Sequence, residues 1–227
     1  MTTNFDQSIL SYQFAVVIPA LNEARAIGEV IDGVSQYGVP IVVDDGSTDD
    51  TAQLAERAGA IVVKHEVNCG YDKALESGLF KAIELGFCYA TTLDADGQHS
   101  PQTLLGFKTE LSKGADLVIG TRDRHQRLAE SAFAILGKAL WGIADPLCGM
   151  KGYKLVHLEK LGHFDSYRSI GTEFAIRCAR SRLDIRYVPV PTRDRPGSSR
   201  FGSGFRPNLK IFRALFIGLF KATAFTR

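Results

Sequence analysis

The 227-residue chain has only four cysteines, Cys69, Cys88, Cys148 and Cys178, and no two stand as Cys-x-x-Cys. Zinc-finger spacing is therefore absent, and a disulfide framework is not expected in a chain of this size, so a reducing cytoplasm fits. No run of about 18 uncharged apolar residues occurs, so no membrane-spanning helix is expected. Met1 to Tyr12 is polar, without the apolar stretch of a signal peptide. Several motifs are missing as well. There is no Gly-x-Gly-x-x-Gly after the first apolar run, which argues against a dinucleotide dehydrogenase, and no Gly-x-x-x-x-Gly-Lys-Ser/Thr, which argues against a P-loop NTPase. No Gly-x-Ser-x-Gly elbow supplies a hydrolase nucleophile. The five histidines are scattered, with no pair at metal-ligand spacing, and no repeat or long linker divides the chain.

What is present is a 45% apolar chain, enough for one large domain. Its charge is uneven. From Arg193 onward there are eight Lys/Arg and one acid, a balance of +7, which leaves −5 on the first 192 residues. An acidic, metal-holding body with a basic tail aimed at phosphates or an anionic membrane fits this split.

Short β-rich runs at 14–18, 40–43, 61–64, 89–93 and 116–119 alternate with helix-period segments at 24–36, 49–58, 71–85 and 101–113. Ser47 or Thr48 reads as the N-cap of the second helix. The alternation predicts an α/β fold with a doubly wound, mostly parallel sheet, in which ligands bind beyond the carboxyl ends of the strands. Helices are expected at 128–141 and 173–181, a strand at 186–190, and a loop from 191 to 207.

Polar clusters stand where those strands end: Pro19-Ala20-Leu21-Asn22-Glu23, Asp44-Asp45-Gly46-Ser47, Asp94-Ala95-Asp96-Gly97-Gln98-His99 and Gly120-Thr121-Arg122. Asp94 and Asp96, two residues apart at a strand exit, reach one hard cation through oxygen, and Gln98 adds a neutral oxygen. Mg²⁺ and Mn²⁺ accept such ligands and keep positions for phosphate oxygens. Either Asp44 or Asp45 can accept a hydrogen bond from a nucleobase or ribose; the other then serves a turn or helix cap.

These four ordered segments resemble the family 2 glycosyltransferases of the GT-A fold, and within them the dolichol- or polyprenyl-phosphate sugar transferases. Asp145-Pro146-Leu147-Cys148-Gly149-Met150-Lys151 and Gly197-Ser198-Ser199-Arg200 are similar to later segments of that family, more loosely. The resemblance implies that Pro19, Leu21, Glu23, Val43, Asp45, Asp94 and Ala95 line the donor pocket, with Lys73 and Arg195 as phosphate contacts. It implies Asp94, Asp96 and Gln98 as ligands of Mg²⁺ or Mn²⁺, and Asp96, Arg122 and Arg200 as catalytic residues.

A sugar hydroxyl needs a general base, whereas a phosphate monoester, with a second pKa of about 6, is already anionic and needs only positioning. Arg193, Arg195 and Arg200 suit an anionic acceptor, and Leu209 to Phe225 reads as an amphipathic helix with Lys210, Arg213 and Lys221 on one arc. The expectation is an inverting hexosyltransferase, using a UDP- or GDP-sugar and a polyprenyl phosphate. It would be cytoplasmic, peripheral at the inner face of the membrane, and without a nucleic-acid partner. Residues 1–207 would form the catalytic domain and 208–227 the interfacial helix. The alternatives are a saccharide acceptor with Glu173 as base, or a non-catalytic nucleotide-sugar-binding scaffold.

Overall fold

The computed structural model describes residues 13–122, 128–164 and 170–191. Within them the chain runs β1 (Phe14–Ala20), α1 (Ile27–Val34), β2 (Val39–Asp44), α2 (Thr51–Arg57), β3 (Ile61–Lys64), α3 (Tyr71–Glu84) and β4 (Tyr89–Thr92). It continues with α4 (Thr103–Ser112), β5 (Leu117–Arg122), α5 (Leu128–Trp141), β6 (Lys151–Lys154), α6 (Leu155–Leu161), α7 (Thr172–Arg180) and β7 (Ile185–Val190).

All seven strands join one sheet in the order β3-β2-β1-β4-β6-β5-β7. β1 pairs in parallel with β2 and β4, β2 with β3, and β5 with β7, while β6 runs antiparallel between β4 and β5. The alternating βα pattern thus gives the expected doubly wound, mostly parallel architecture. β6 and α6 were not foreseen. Lys-Gly-Tyr-Lys carries no apolar alternation, and its first lysine is fully buried.

β1 is buried along its whole length. Phe14, Val16 and Ile18 face one core with Ile27, Ile31 and Val34 of α1 and Leu104, Phe107 and Leu111 of α4. Ala15 and Val17 face the other, with Leu75 and Leu79 of α3, Leu155 of α6 and Phe174 of α7. A strand buried on both faces reads as a continuous apolar run, which is why β1 and β2 were recognisable. α3 lies flush on the sheet because of Gly78, where a Cβ would come within 2.4 Å of Val17 and 2.9 Å of Val43. The first turn of α3 is thereby delivered to the carboxyl edge. After β1 the chain winds outward through β2 and β3, then returns to β4 on β1's other side. The β1/β4 crevice is therefore the topological switch point, where open α/β sheets bind ligands.

Candidate active site

The β1 and β2 exits are stitched together. Pro19 and Val43 are register partners and both are buried. Beyond them Leu21 is half-buried, and Asn22 adopts a left-handed φ of 55°. The Asn22 N–H donates to Ser47 Oγ at 2.9 Å, and its side-chain oxygen accepts from the Thr48 N–H at 2.8 Å. The nearly buried Glu23 donates its N–H to Thr51 Oγ1 at 2.8 Å. Ser47 and Thr48 are therefore spent on the neighbouring loop and do not cap α2. The turn entering α2 is organised by Asp49, whose Oδ1 accepts the Thr51 N–H at 3.1 Å. That correction was hidden from local sequence, because the competing partner lies 25–26 residues away.

Two neighbouring carboxylates divide their roles. Asp44 Oδ1 accepts the Ser47 N–H at 3.3 Å, the turn-forming role. Asp45, only 4% exposed, holds the loop before α3: Oδ1 accepts the Cys69 N–H and Oδ2 the Gly70 N–H, both at 2.9 Å. Its Oδ1 also lies 2.7 Å from His65 Nδ1, and His65 Nε2 is 2.9 Å from Ser77 Oγ. A carboxylate accepts about four hydrogen bonds, so Asp45 keeps capacity for a ligand while anchoring this loop.

At the β4 exit, Asp94 and Asp96 are half-buried, with Ala95 buried between them. The Tyr71 hydroxyl donates to Asp94 Oδ1 at 2.6 Å, and His99 Nε2 lies 3.6 Å from Asp94 Oδ2. Burial first, and then the Asp94 charge, push the Tyr71 phenol well above its ordinary value, so it stays a donor. Asp96 Oδ1 accepts the Gln98 N–H at 3.1 Å, which ties the turn. Gly149, on the loop entering β6, faces this pair: a Cβ there would sit 3.6 Å from Asp94 Oδ2 and 3.3 Å from the Tyr71 hydroxyl. The missing side chain leaves a cradle beside a carboxylate whose side chain is one-third exposed. An all-oxygen donor set of Asp94, Asp96 and Gln98 next to that cradle fits Mg²⁺ or Mn²⁺.

The second half encloses this edge. Arg122, expected as a catalytic residue, is engaged with Asp145: Nε to Oδ2 and Nη2 to Oδ1, both at 2.9 Å. Lys151 is fully buried, and its ammonium donates to the carbonyls of Cys148 at 2.5 Å and Ile170 at 2.7 Å. It clasps two loops together. Lys73 projects from α3, largely exposed, and pairs with Glu76. Glu173, 1% exposed, lies 2.8 Å from Arg177 Nη2 and 3.2 Å from His163 Nε2. Arg195, Arg200 and the segment Leu209 to Phe225 fall outside the described residues, as does the proposed boundary at 207/208. Sequence reasoning missed Tyr71 as the partner of Asp94. The signal lay in Asn68-Cys69-Gly70-Tyr71, a helix start aimed at the same edge.

Solved structures share this architecture. Glucosyl-3-phosphoglycerate synthase from Mycobacterium tuberculosis, in complex with Mn²⁺ and uridine-diphosphate-glucose, superposes with a TM-score of 0.75 at 24% identity, covering 96% of this chain and 84% of that one. The fold is GT-A. The family described as Glycosyl transferase family 2 matches residues 15–135, and the chain belongs to it. Among similar sequences are a dolichyl-phosphate hexose transferase of Haloferax volcanii, 30% identical over 82% of this chain and 85% of that protein, and a UDP-N-acetylglucosamine–dolichyl-phosphate N-acetylglucosaminyltransferase of Methanococcus voltae, 26% identical over 88% and 93%. An uncharacterised protein of Methanocaldococcus jannaschii is 31% identical over 78% of this chain and 80% of its own length.

Proposed function

We propose that the protein transfers a hexose, with inversion, from a nucleoside-diphosphate sugar to a polyprenyl phosphate. The observation that carries this reading is the Asp94/Asp96 pair at the β1/β4 switch point, braced by Tyr71 and opened by Gly149. Asp94, Asp96 and Gln98 would hold a divalent cation, which would offset negative charge developing on the departing nucleoside diphosphate. Pro19, Leu21, Glu23, Val43, Asp45 and Ala95 line the nucleoside side, with Lys73 and Arg195 as the diphosphate contacts. Arg200 steadies the phosphates, and Arg122 adds its charge from the β5 exit on the same edge while its guanidinium stays paired with Asp145. The acceptor phosphate oxygen attacks the anomeric carbon from the face opposite the leaving group, and no proton has to be abstracted from it.

The acceptor assignment draws on the names of two relatives and on Glu173. That carboxylate is tied to Arg177 in a buried ion pair and is not standing open to take a proton from a sugar hydroxyl. The basic segment from Leu209 to Phe225 would hold the enzyme at the inner face of the membrane; no helix among the described residues is long and apolar enough to cross one. The test is a panel of UDP- and GDP-sugars offered with a polyprenyl phosphate and, separately, a saccharide. Product on the lipid phosphate alone is expected. Transfer to the saccharide alone would install Glu173 as the base, and nucleotide-sugar binding without turnover on either would leave a binding scaffold.

A further inference from the structure

We infer that Asp45, His65 and Cys69 form a second metal site, for a thiophilic divalent cation of the Zn²⁺ class, separate from the oxygen-ligand pair Asp94/Asp96. One carboxylate oxygen, one imidazole nitrogen and the thiol sulfur of these residues all lie within 4.8 Å of one another. Zinc–ligand bonds are about 2.0–2.3 Å, so atoms at this spacing close on one tetrahedral ion through small side-chain adjustments. The donors are mixed. Sulfur and imidazole select Zn²⁺, Cd²⁺ or Co²⁺ over Mg²⁺, which prefers oxygen throughout.

The surroundings are those of a prepared ligand set. His65 presents Nδ1 to Asp45 at 2.7 Å, while its other nitrogen is held by Ser77 Oγ at 2.9 Å. Metal-binding histidines commonly fix their second nitrogen in this way, which sets the tautomer and the ring orientation. On loading, Nδ1 gives its lone pair to the cation, the ring proton sits on Nε2, and Nε2–H donates a hydrogen bond to the Ser77 hydroxyl oxygen. The Cys69 thiol loses its proton to solvent and binds as thiolate. The Cys69 N–H already donates to Asp45, so the loop holds its sulfur over the carboxylate before any cation arrives. Asp45 is buried, His65 intermediate and Cys69 exposed, so the fourth coordination position opens toward solvent.

Titrating the full-length protein with Co²⁺, without donor, tests the site through the near-ultraviolet thiolate-to-cobalt absorption, which oxygen ligands do not produce. Burial pushes the Cys148 thiol up to about 11 and the Cys178 thiol higher still, leaving Cys88 as the one other exposed thiol among the described residues. The absorption is expected in the wild type, in Cys88→Ser and in Asp96→Asn. It should vanish in Cys69→Ser, an exposed change that leaves the core untouched. Ser77→Ala should weaken Co²⁺ binding by about 10- to 100-fold, the usual cost of losing an outer-shell partner. No thiolate absorption in the wild type overturns the site, as does an absorption that survives Cys69→Ser or disappears in Asp96→Asn. Because the readout is not glycosyl transfer, it stands apart from any failure of the proposed activity.

Discussion

The Tyr71 hydroxyl, on the first turn of α3, donates to Asp94 Oδ1 at the end of β4 across 2.6 Å. The bond joins the loop anchored by Asp45 to the carboxylate pair, since Gly70, held by Asp45, immediately precedes Tyr71. Tyr71→Phe should keep the fold and lower kcat/KM by roughly ten- to a hundredfold, the equivalent of about 1.5–3 kcal/mol for a hydrogen bond to a charged group. Steady-state kinetics at saturating metal checks this, and an unchanged kcat/KM would remove Tyr71 from the site.

Asp96→Ala should abolish divalent-dependent turnover with little change in melting temperature. Its side chain is half-buried at a strand exit and accepts the Gln98 N–H within its own turn. Activity that persists in the variant, or in excess chelator, would refute the metal assignment.

Asp145→Asn leaves Arg122 without its carboxylate, and breaking a buried pair in this way costs about 3–5 kcal/mol. Burial pushes the Asp145 carboxyl up, but the hydrogen bonds and charge of Arg122 outweigh it, so the folded-state value lies below the ordinary 3.8. A carboxyl depressed on folding contributes stability above its unfolded value and loses it as pH falls through the folded one. Urea unfolding below pH 3.8 should therefore be less pH-dependent in the variant than in the wild type. Some slope will remain, because Asp49, Glu76, Glu110 and Asp116 are depressed too.

Glu173→Gln should reduce stability through its contacts with Arg177 and His163 while kcat changes little. Thermal unfolding and single-turnover rates separate the two effects. Collapse of the chemical step in a normally stable variant would point to a base and hence to a saccharide acceptor.

Truncation after Pro207 should release the protein from anionic liposomes and slow turnover with long-chain acceptors more than with short soluble ones. Raising the salt should weaken liposome binding of the full chain, since Lys210, Arg213 and Lys221 supply part of it. Co-sedimentation checks both. Full-length protein that stays in the supernatant at low salt would end the membrane reading.

The first half of the chain was legible because each parallel strand is an apolar run that stops at a polar cluster. Residues 41–43 are such a run, closed by Asp44 and Asp45. What could not be read were choices settled by distant partners. Asp145, 23 residues downstream, claims Arg122, and Asn22 takes Ser47 and Thr48 from their expected cap. The division of labour between Asp44 and Asp45 likewise depends on a loop some 25 residues on. β6 escaped notice because its buried lysine is satisfied by two loop carbonyls, an arrangement with no local signature.

β6 runs against its neighbours, so it contributes its beginning at the edge where the parallel strands contribute their ends. Thr92 Oγ1, the last residue of β4, donates to the Gly149 carbonyl at 2.7 Å, which pins the incoming loop to the acidic exit. Upstream of that pin, residues can be added or removed without shifting the register of any strand, because the reversed strand has already fixed where the loop must land. The loop ahead of β6 is in this sense an interchangeable part. A change in its length can be accommodated there while the parallel strands β1 to β4 keep their alignment.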